Sequence, residues 1–181
     1  MKSNKRIGSC VIGTWSCIIG AIITVVIIVL ISVSLAFWIV PYLSRDAAPS
    51  AFEVAEAVGE NKTNCIYTGE FSKDRKGSDL GHWGEGDICV TNKSVVFTGR
   101  LALGPDYYLY YASKYVETRQ EFKGIKGRSV RGNKIKSFNG FIQDIPSYVD
   151  IEKVNALVVW CEMYGVYITS TKLNKKITSK Q

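Results

Sequence analysis

Few side chains in this sequence could carry chemistry, and Cys161 is the first of them. It stands in Val158-Val159-Trp160-Cys161-Glu162-Met163-Tyr164, a run with the composition of a strand. A lone cysteine among bulky apolar neighbours can be a buried filler, half of a disulfide, a metal or haem ligand, or a working thiol. In an extended chain alternate residues share a face. Leu157, Val159, Cys161 and Met163 therefore fall together, opposite Ala156, Val158, Trp160 and Glu162. An apolar stripe raises a thiol's pKa and quiets it. Haem iron accepts histidine, methionine, thiolate or tyrosine, which admits Cys161, Met163 and His82, the sequence's one histidine. His82 reads equally well as a turn residue in Gly-His-Trp-Gly-Glu-Gly. No Cys-x-x-Cys-His occurs, so covalent c-type haem attachment is excluded.

Other reaction classes find little to stand on. There is no Gly-x-Ser-x-Gly, no His-Glu-x-x-His and no Cys-x-x-Cys. A Cys161–His82 dyad would need the fold to join them. A zinc site would have to gather His82 and cysteines from separate strands. The Gly81–Gly86 stretch has neither the spacing nor the following helix of a phosphate loop. Acidic residues around it (Glu70, Asp74, Asp79, Glu85, Asp87) lack EF-hand spacing and read as a solvated loop. Cys65 and Cys89 are disulfide candidates. Their bridge would close the first strand onto the second and leave Cys161 free; the other two pairings, or three reduced thiols, stay open.

The elements that must position these residues divide the chain sharply. From Ile7 to Val40 nearly every residue is apolar or small and none is charged. About 20 such residues cross the hydrocarbon core as a helix, and residues 18–40 are the most apolar part. Trp38 and Tyr42 suit an interfacial belt, and Pro41 is placed to end the helix. Lys2, Lys5 and Arg6 precede the segment, which predicts a cytoplasmic N-terminus and an extracytoplasmic remainder, in a single pass of the cell membrane. A cleaved signal peptide is the rival reading, though its apolar core would be shorter. Cys10 and Cys17, near the cytoplasmic end, read as lipid-facing or acylated. The expected divisions are 1–17 cytoplasmic, 18–40 transmembrane, 41–64 a linker, 65–173 the external domain and 174–181 a basic, frayed tail.

In the linker, Ser50 and Glu53 have capping-box spacing and Gly59 suits a helix C-cap, so AFEVAEAVG predicts a two-turn spacer helix. From Cys65 onward, short β-type runs alternate with turn signals: CIYTGEF, DICVTN, SVVFTGRL, YYLYYAS, SFNGFIQ, ALVVWC and VYITST. This predicts an all-β domain, a compact sandwich or small barrel. Of the tyrosines at 107, 108, 110 and 111, two should face the core and two stand outward. The net charge of +7 includes an excess of cations from Lys114 to Lys136, read as a solvated loop face or a surface for anionic lipid or an acidic partner. Nucleic acid is not an expected partner outside a membrane.

From Gly69 to Leu173 the sequence resembles the DM-thirteen domain, the module joined to DOMON domains in Skeletor-type proteins. The matching residues are Gly69-Glu70-Phe71, the stretch His82 to Gly86, Gly104-Pro105-Asp106-Tyr107-Tyr108-Leu109-Tyr110, Gly140 and Pro146, and Val158-Val159-Trp160-Cys161 followed by Tyr164-Gly165. Two stretches depart from the family pattern: the closing ITSTKL and the more basic 114–136 region. The resemblance implies a redox or electron-transfer role through Cys161, as a free thiol or a haem-type ligand, with an unidentified redox or envelope partner. The alternative is a non-catalytic envelope module that binds a polymer or a partner protein.

Overall fold

The computed structural model describes residues 5–43 and 45–176, in two units that meet in sequence at Leu43–Ser44. In the first unit, helix α1 (Lys5–Leu43) contains an apolar stretch, Trp15–Ala36, of 22 residues and mean hydropathy 3.1. At 1.5 Å per residue that is about 33 Å, the thickness of a hydrocarbon core. Side chains along it are exposed and apolar on every face. A helix with no polar stripe has no use for a water interface, and this one is long and apolar enough to cross a membrane. It ends at Leu43, two residues beyond Pro41, inside the turn where the missing proline N–H can no longer sustain it. Lys2 lies outside the described residues, as do the side chains of Lys5, Arg6, Cys10, Trp38 and Tyr42 and the tail beyond Lys176.

The second unit begins with helix α2 (Ala51–Val58). The Ser50 hydroxyl accepts from the Glu53 N–H at 3.2 Å, and the Glu53 carboxylate accepts the Ser50 N–H at 2.7 Å. Gly59, at φ 72°, returns its N–H to the Ala55 carbonyl. A left-handed φ is cheap only for glycine, and the helix stops there. The sequence reading made this helix a spacer. Instead, Val54, Ala57 and Val58 pack on Cys65, Cys89 and Val96 and cover part of a sheet.

Nine strands follow among the described residues: β1 (Tyr67–Phe71), β2 (Gly84–Val90), β3 (Ser94–Leu101), β4 (Tyr107–Ala112), β5 (Val130–Ile135), β6 (Phe141–Asp144), β7 (Ala156–Cys161), β8 (Val166–Lys172) and β9 (Asn174–Lys175). One sheet runs β6-β3-β2-β1-β9 and the other β5-β4-β7-β8, with every pairing antiparallel. The domain is all-β and sandwich-like. Between the sheets lie Phe71, Ile88, Phe97, Tyr107, Leu109, Leu157, Val159, Cys161 and Ile168. At one seam the chain passes from β8 through buried Leu173 straight into β9, which pairs with Tyr67 and Thr68 of β1. Residues 174 and 175 of the expected tail are thus in a sheet. At the other seam side chains do the stitching: Asn133 donates to the Asp144 carbonyl and Gln143 to the Lys134 carbonyl.

Strand β7 shows why its sequence is apolar at every position. Leu157, Val159 and Cys161 face the inter-sheet core, while Ala156, Val158 and Trp160 face a second apolar cluster. Helix α3 (Arg119–Ile125) covers that outer face with Phe122, whose ring lies 5.1 Å from both Tyr110 and Trp160. A sheet buried on both faces needs no polar alternation. Here the structure corrects the loop expected over 114–136: it holds α3 and the edge strand β5. Of the two tyrosines expected outward, Tyr110 is buried under α3 and Tyr108 is half-buried, with Arg131 over its ring at 5.0 Å.

Candidate functional site: the free cysteine at one end of the sandwich

Strand register places Cys161 in a row with Tyr107 and Ile135 on one side and Val166 on the other. All four sit where their strands begin or end. The connections 72–83, 102–106, 136–140 and 162–165 therefore gather at this end, and Cys65 and Cys89 lie toward the other. The Cys161 thiol is free, 2% exposed and turned to the inter-sheet core with Leu157 and Val159. Burial pushes its pKa up. The backbone N–H groups of Tyr164, Asp106 and Met163 favour the thiolate without overcoming the loss of water. At neutral pH the sulfur holds its proton.

Tyr107 is the nearest neighbour along the row and is 2% exposed. Its ring lies on Gly104, where any Cβ would collide with it, and meets Phe138 edge-to-face at 5.7 Å. Its hydroxyl reaches the Leu103 carbonyl at 3.4 Å. Burial, with the charges of Cys161 and Asp79 adding, pushes the phenol well above its ordinary pKa. The preceding residue, Asp106, meets Lys134 at 2.8 Å, and that bond holds the lysine's pKa up. Glycine, proline and aspartate before Tyr107 thus make the turn that lays the ring down and sets a carboxylate at the mouth of the site.

On the outer face, the residue after Cys161 anchors a second cluster. The Glu162 carboxylate accepts the Tyr110 hydroxyl and pairs with Lys126 at 2.7 Å. Burial alone would raise the Glu162 pKa, but these partners outweigh it and hold the group ionised below the usual range. Lys126 lies 5.6 Å from both the Tyr110 and Trp160 rings. Nothing in the sequence pattern joins Glu162 to Lys126, which is distant along the chain and belongs to a segment that reads as a loop.

The other sequence candidates go elsewhere. Strand β7 ends at Cys161, so Met163 leaves the cysteine's stripe and stands 57% exposed in the turn before Gly165, which has φ 59°. His82 is half-buried, its Nδ1 2.9 Å from both carboxylate oxygens of Asp79. That bond, first, and the Gly81 N–H hold the Asp79 pKa down. Reciprocal backbone bonds between Asp79 and His82 close the loop. The structure thus does not gather Cys161, His82 and Met163 into one ligand set: Cys161 is buried in the core, Met163 is exposed, and half-buried His82 is bonded to Asp79 on another loop. Among the described residues no group of three His, Cys, Asp or Glu could hold a metal ion. Cys65 and Cys89 are bonded to each other, with their Cα atoms 5.3 Å apart.

The family described as Electron transfer DM13 matches residues 69–173, more than half of the chain. The match runs from β1 to the end of β8 and takes in His82, Cys89 and Cys161. Cys65 and α2 fall outside it. No curated protein and no solved structure matches the chain.

Proposed function

Because the chain belongs to the electron-transfer DM13 family, we propose that it is a membrane-anchored redox protein whose working group is the Cys161 thiol. The observation that carries this reading is the state of that thiol. It is the one free cysteine described in the β unit, held unpaired while the other two are bonded together. It sits one residue from the surface turn 162–165, under the Asp106–Lys134 pair. To react, this protonated, buried thiol gives up its proton to water at the mouth of the site. Its sulfur then bonds to one sulfur of a partner disulfide, whose other sulfur leaves as a thiolate, so that Cys161 is oxidised to a mixed disulfide and the partner's leaving sulfur is reduced. The residues fit a thiol better than a haem, since neither His82 nor Met163 lies with Cys161.

The anchor is residues 18–40 within α1, with the N-terminus in the cytoplasm and the β domain outside. The cations before the helix support that orientation, and a disulfide in the domain suits an oxidising compartment.

The test starts with the protein purified from its own membranes. An oxidised-minus-reduced visible spectrum should be featureless. Poising the full chain in thiol–disulfide buffers over a range of potentials, then unfolding and alkylating it, should show Cys161 switching reversibly between an alkylated form and a mixed disulfide with the buffer thiol. A shifting Soret band would replace the thiol reading with a haem. A Cys161 that stays fully alkylable at every potential would overturn the redox role and leave a non-catalytic module that binds a polymer or partner protein.

A further inference from the structure

The large apolar side chains that the β domain leaves exposed are not scattered. Leu80 is fully exposed, Leu103 is 52% exposed, Met163 57% and Tyr164 46%. Leu80 lies in the β1–β2 connection, Leu103 in the β3–β4 connection, and Met163 and Tyr164 in the β7–β8 turn. Antiparallel register puts all three at the Cys161 end, since Gly84 of β2 pairs Leu101 of β3 and Tyr107 of β4 pairs Cys161 of β7. Only Phe52 and Tyr148 are comparably exposed elsewhere among the described residues of the domain. Exposed apolar side chains at Leu80, Leu103 and Met163, on three separate loops, cost solubility, which marks them as a contact surface.

Three features say what covers that surface. The first is where the chain enters the domain. The Asp46 N–H donates to the Lys136 carbonyl at 3.0 Å, one residue past Ile135, which stands in the Cys161 row. The second is reach. Helix α1 ends at Leu43, and three residues of chain extend no further than about 10 Å before that bond. The chain that leaves an anchored helix therefore enters the domain at this end, over a short connection. The third is charge: Arg119, whose guanidinium lies near Gly165 of the Met163 turn, and Lys136, in the connection that follows Ile135, both stand exposed at this end. Apolar side chains flanked by cations are the chemistry of an interfacial lipid contact.

We propose that the Cys161 end of the sandwich docks on the surface of an anionic bilayer, Leu80, Leu103 and Met163 entering the headgroup layer while Arg119 and Lys136 meet lipid phosphates. The inference rests on the membrane anchorage argued above and adds the face that the domain turns to the lipid. Docked this way, Cys161 sits just behind the membrane surface, so the redox partner it meets is itself membrane-bound or dissolved in the bilayer.

The test uses the full chain in nanodiscs containing phosphatidylglycerol, with Cys10→Ser and Cys17→Ser to clear competing thiols. Nitroxide labels are placed singly at Leu103→Cys, Met163→Cys, Lys93→Cys in the turn at the opposite end, and Ile27→Cys in the apolar helix. Power-saturation EPR then compares each label's accessibility to oxygen and to a water-soluble nickel chelate. The expected result is nickel protection at 103 and 163, full nickel access at 93 and burial in lipid at 27. Protection should weaken several-fold in discs of phosphatidylcholine alone, and in Leu80→Ser with Arg119→Gln and Lys136→Gln, exposed changes that leave the core untouched. Labels 103 and 163 as open to nickel as 93, with 27 in lipid, would overturn docking alone. A water-exposed label at 27 would overturn the anchorage and docking with it. Protection that follows protein concentration and ignores lipid would assign the face to a second copy of the chain.

Discussion

Two cysteine regions share this domain and are built in opposite ways. Cys65 and Cys89 lie on the outer face of the larger sheet, beneath α2 and beside Val96, in a patch too small to be a core without the bond. Cys161 lies on the inner face of the other sheet, at the far end, inside the main core. The path of the chain decides the difference. It departs from the β1 ladder before Tyr67, and Cys65 comes to lie with its Cα 5.3 Å from that of Cys89. Cys161 has Tyr107 and Val166 as its neighbours across the sheet and can pair with neither. One region spends its sulfur on holding the chain entry to the sheet, and the other keeps a sulfur unspent.

Breaking the bonded pair should have the largest effect. The bridge closes a loop across a sequence separation of 24, and removing such a constraint costs about 2–4 kcal/mol. Cys65→Ser with Cys89→Ser should lower the urea midpoint accordingly and expose α2 to proteolysis, while the redox response of Cys161 persists. Loss of that response together with the bridge would mean that the two regions are one system.

Changing Cys161 itself should cost less and act on function first. Cys161→Ser places a strongly hydrated hydroxyl in an apolar site, where the N–H groups of Tyr164, Asp106 and Met163 offset only part of the lost water, a penalty of about 1–3 kcal/mol. Cys161→Ala loses only packing, about 1 kcal/mol. Both should abolish reversible thiol protection. A serine variant as stable as the alanine one would mean that the N–H groups of Tyr164, Asp106 and Met163, or entering water, satisfy the hydroxyl in full, and the account of position 161 as an apolar site would fail.

The pair can also be separated by pH. The folded Cys161 pKa lies above its unfolded value, so its contribution to stability is whole below about pH 8.5 and is lost as pH rises through the raised folded pKa. The advantage of the wild-type protein over Cys161→Ala should therefore shrink in alkali. The disulfide cysteines do not titrate, so the deficit of the double serine variant should stay level over the same range. Parallel curves for the two comparisons would put the thiol's folded pKa at its ordinary value.

How much of this was legible in the sequence depends on the kind of signal. The capping box at Ser50 and Glu53 stood out before an apolar, alanine-rich run. An identical box at Thr118 and Glu121 opens α3 and was passed over, because the helix is seven residues long and sits among cations. Strand β5 (VRGNKI) hid for a related reason: as an edge strand it buries few side chains and carries polar residues outward. The alternation along β7 correctly sorted Leu157, Val159 and Cys161 from Val158 and Trp160. It failed at Met163 because periodicity does not say where a strand ends; the Gly165 turn does. The Asp106–Lys134 and Glu162–Lys126 pairs join residues distant in sequence, and only the fold brings them within reach.

The smallest effect sharpens the comparison most, because it tunes the free thiol without touching the core. Asp106 and Lys134 form a partly exposed pair beside Cys161, worth no more than about 1 kcal/mol to stability. Their opposite charges act on the sulfur in opposite senses. The Asp106 carboxylate disfavours a thiolate, and the Lys134 ammonium offsets it. Asp106→Asn should therefore lower the pH at which Cys161 becomes alkylable in the native protein, and Lys134→Met should raise it. Neither change should alter the urea midpoint by more than the value of a surface pair, nor move the Cys65–Cys89 bond. The check is the pH profile of native-state alkylation, read at Cys161 by mass spectrometry. Profiles that coincide with wild type for both variants would mean that the charges at the mouth do not reach the sulfur. The backbone N–H groups of Tyr164, Asp106 and Met163 would then be the only polar control on the thiol.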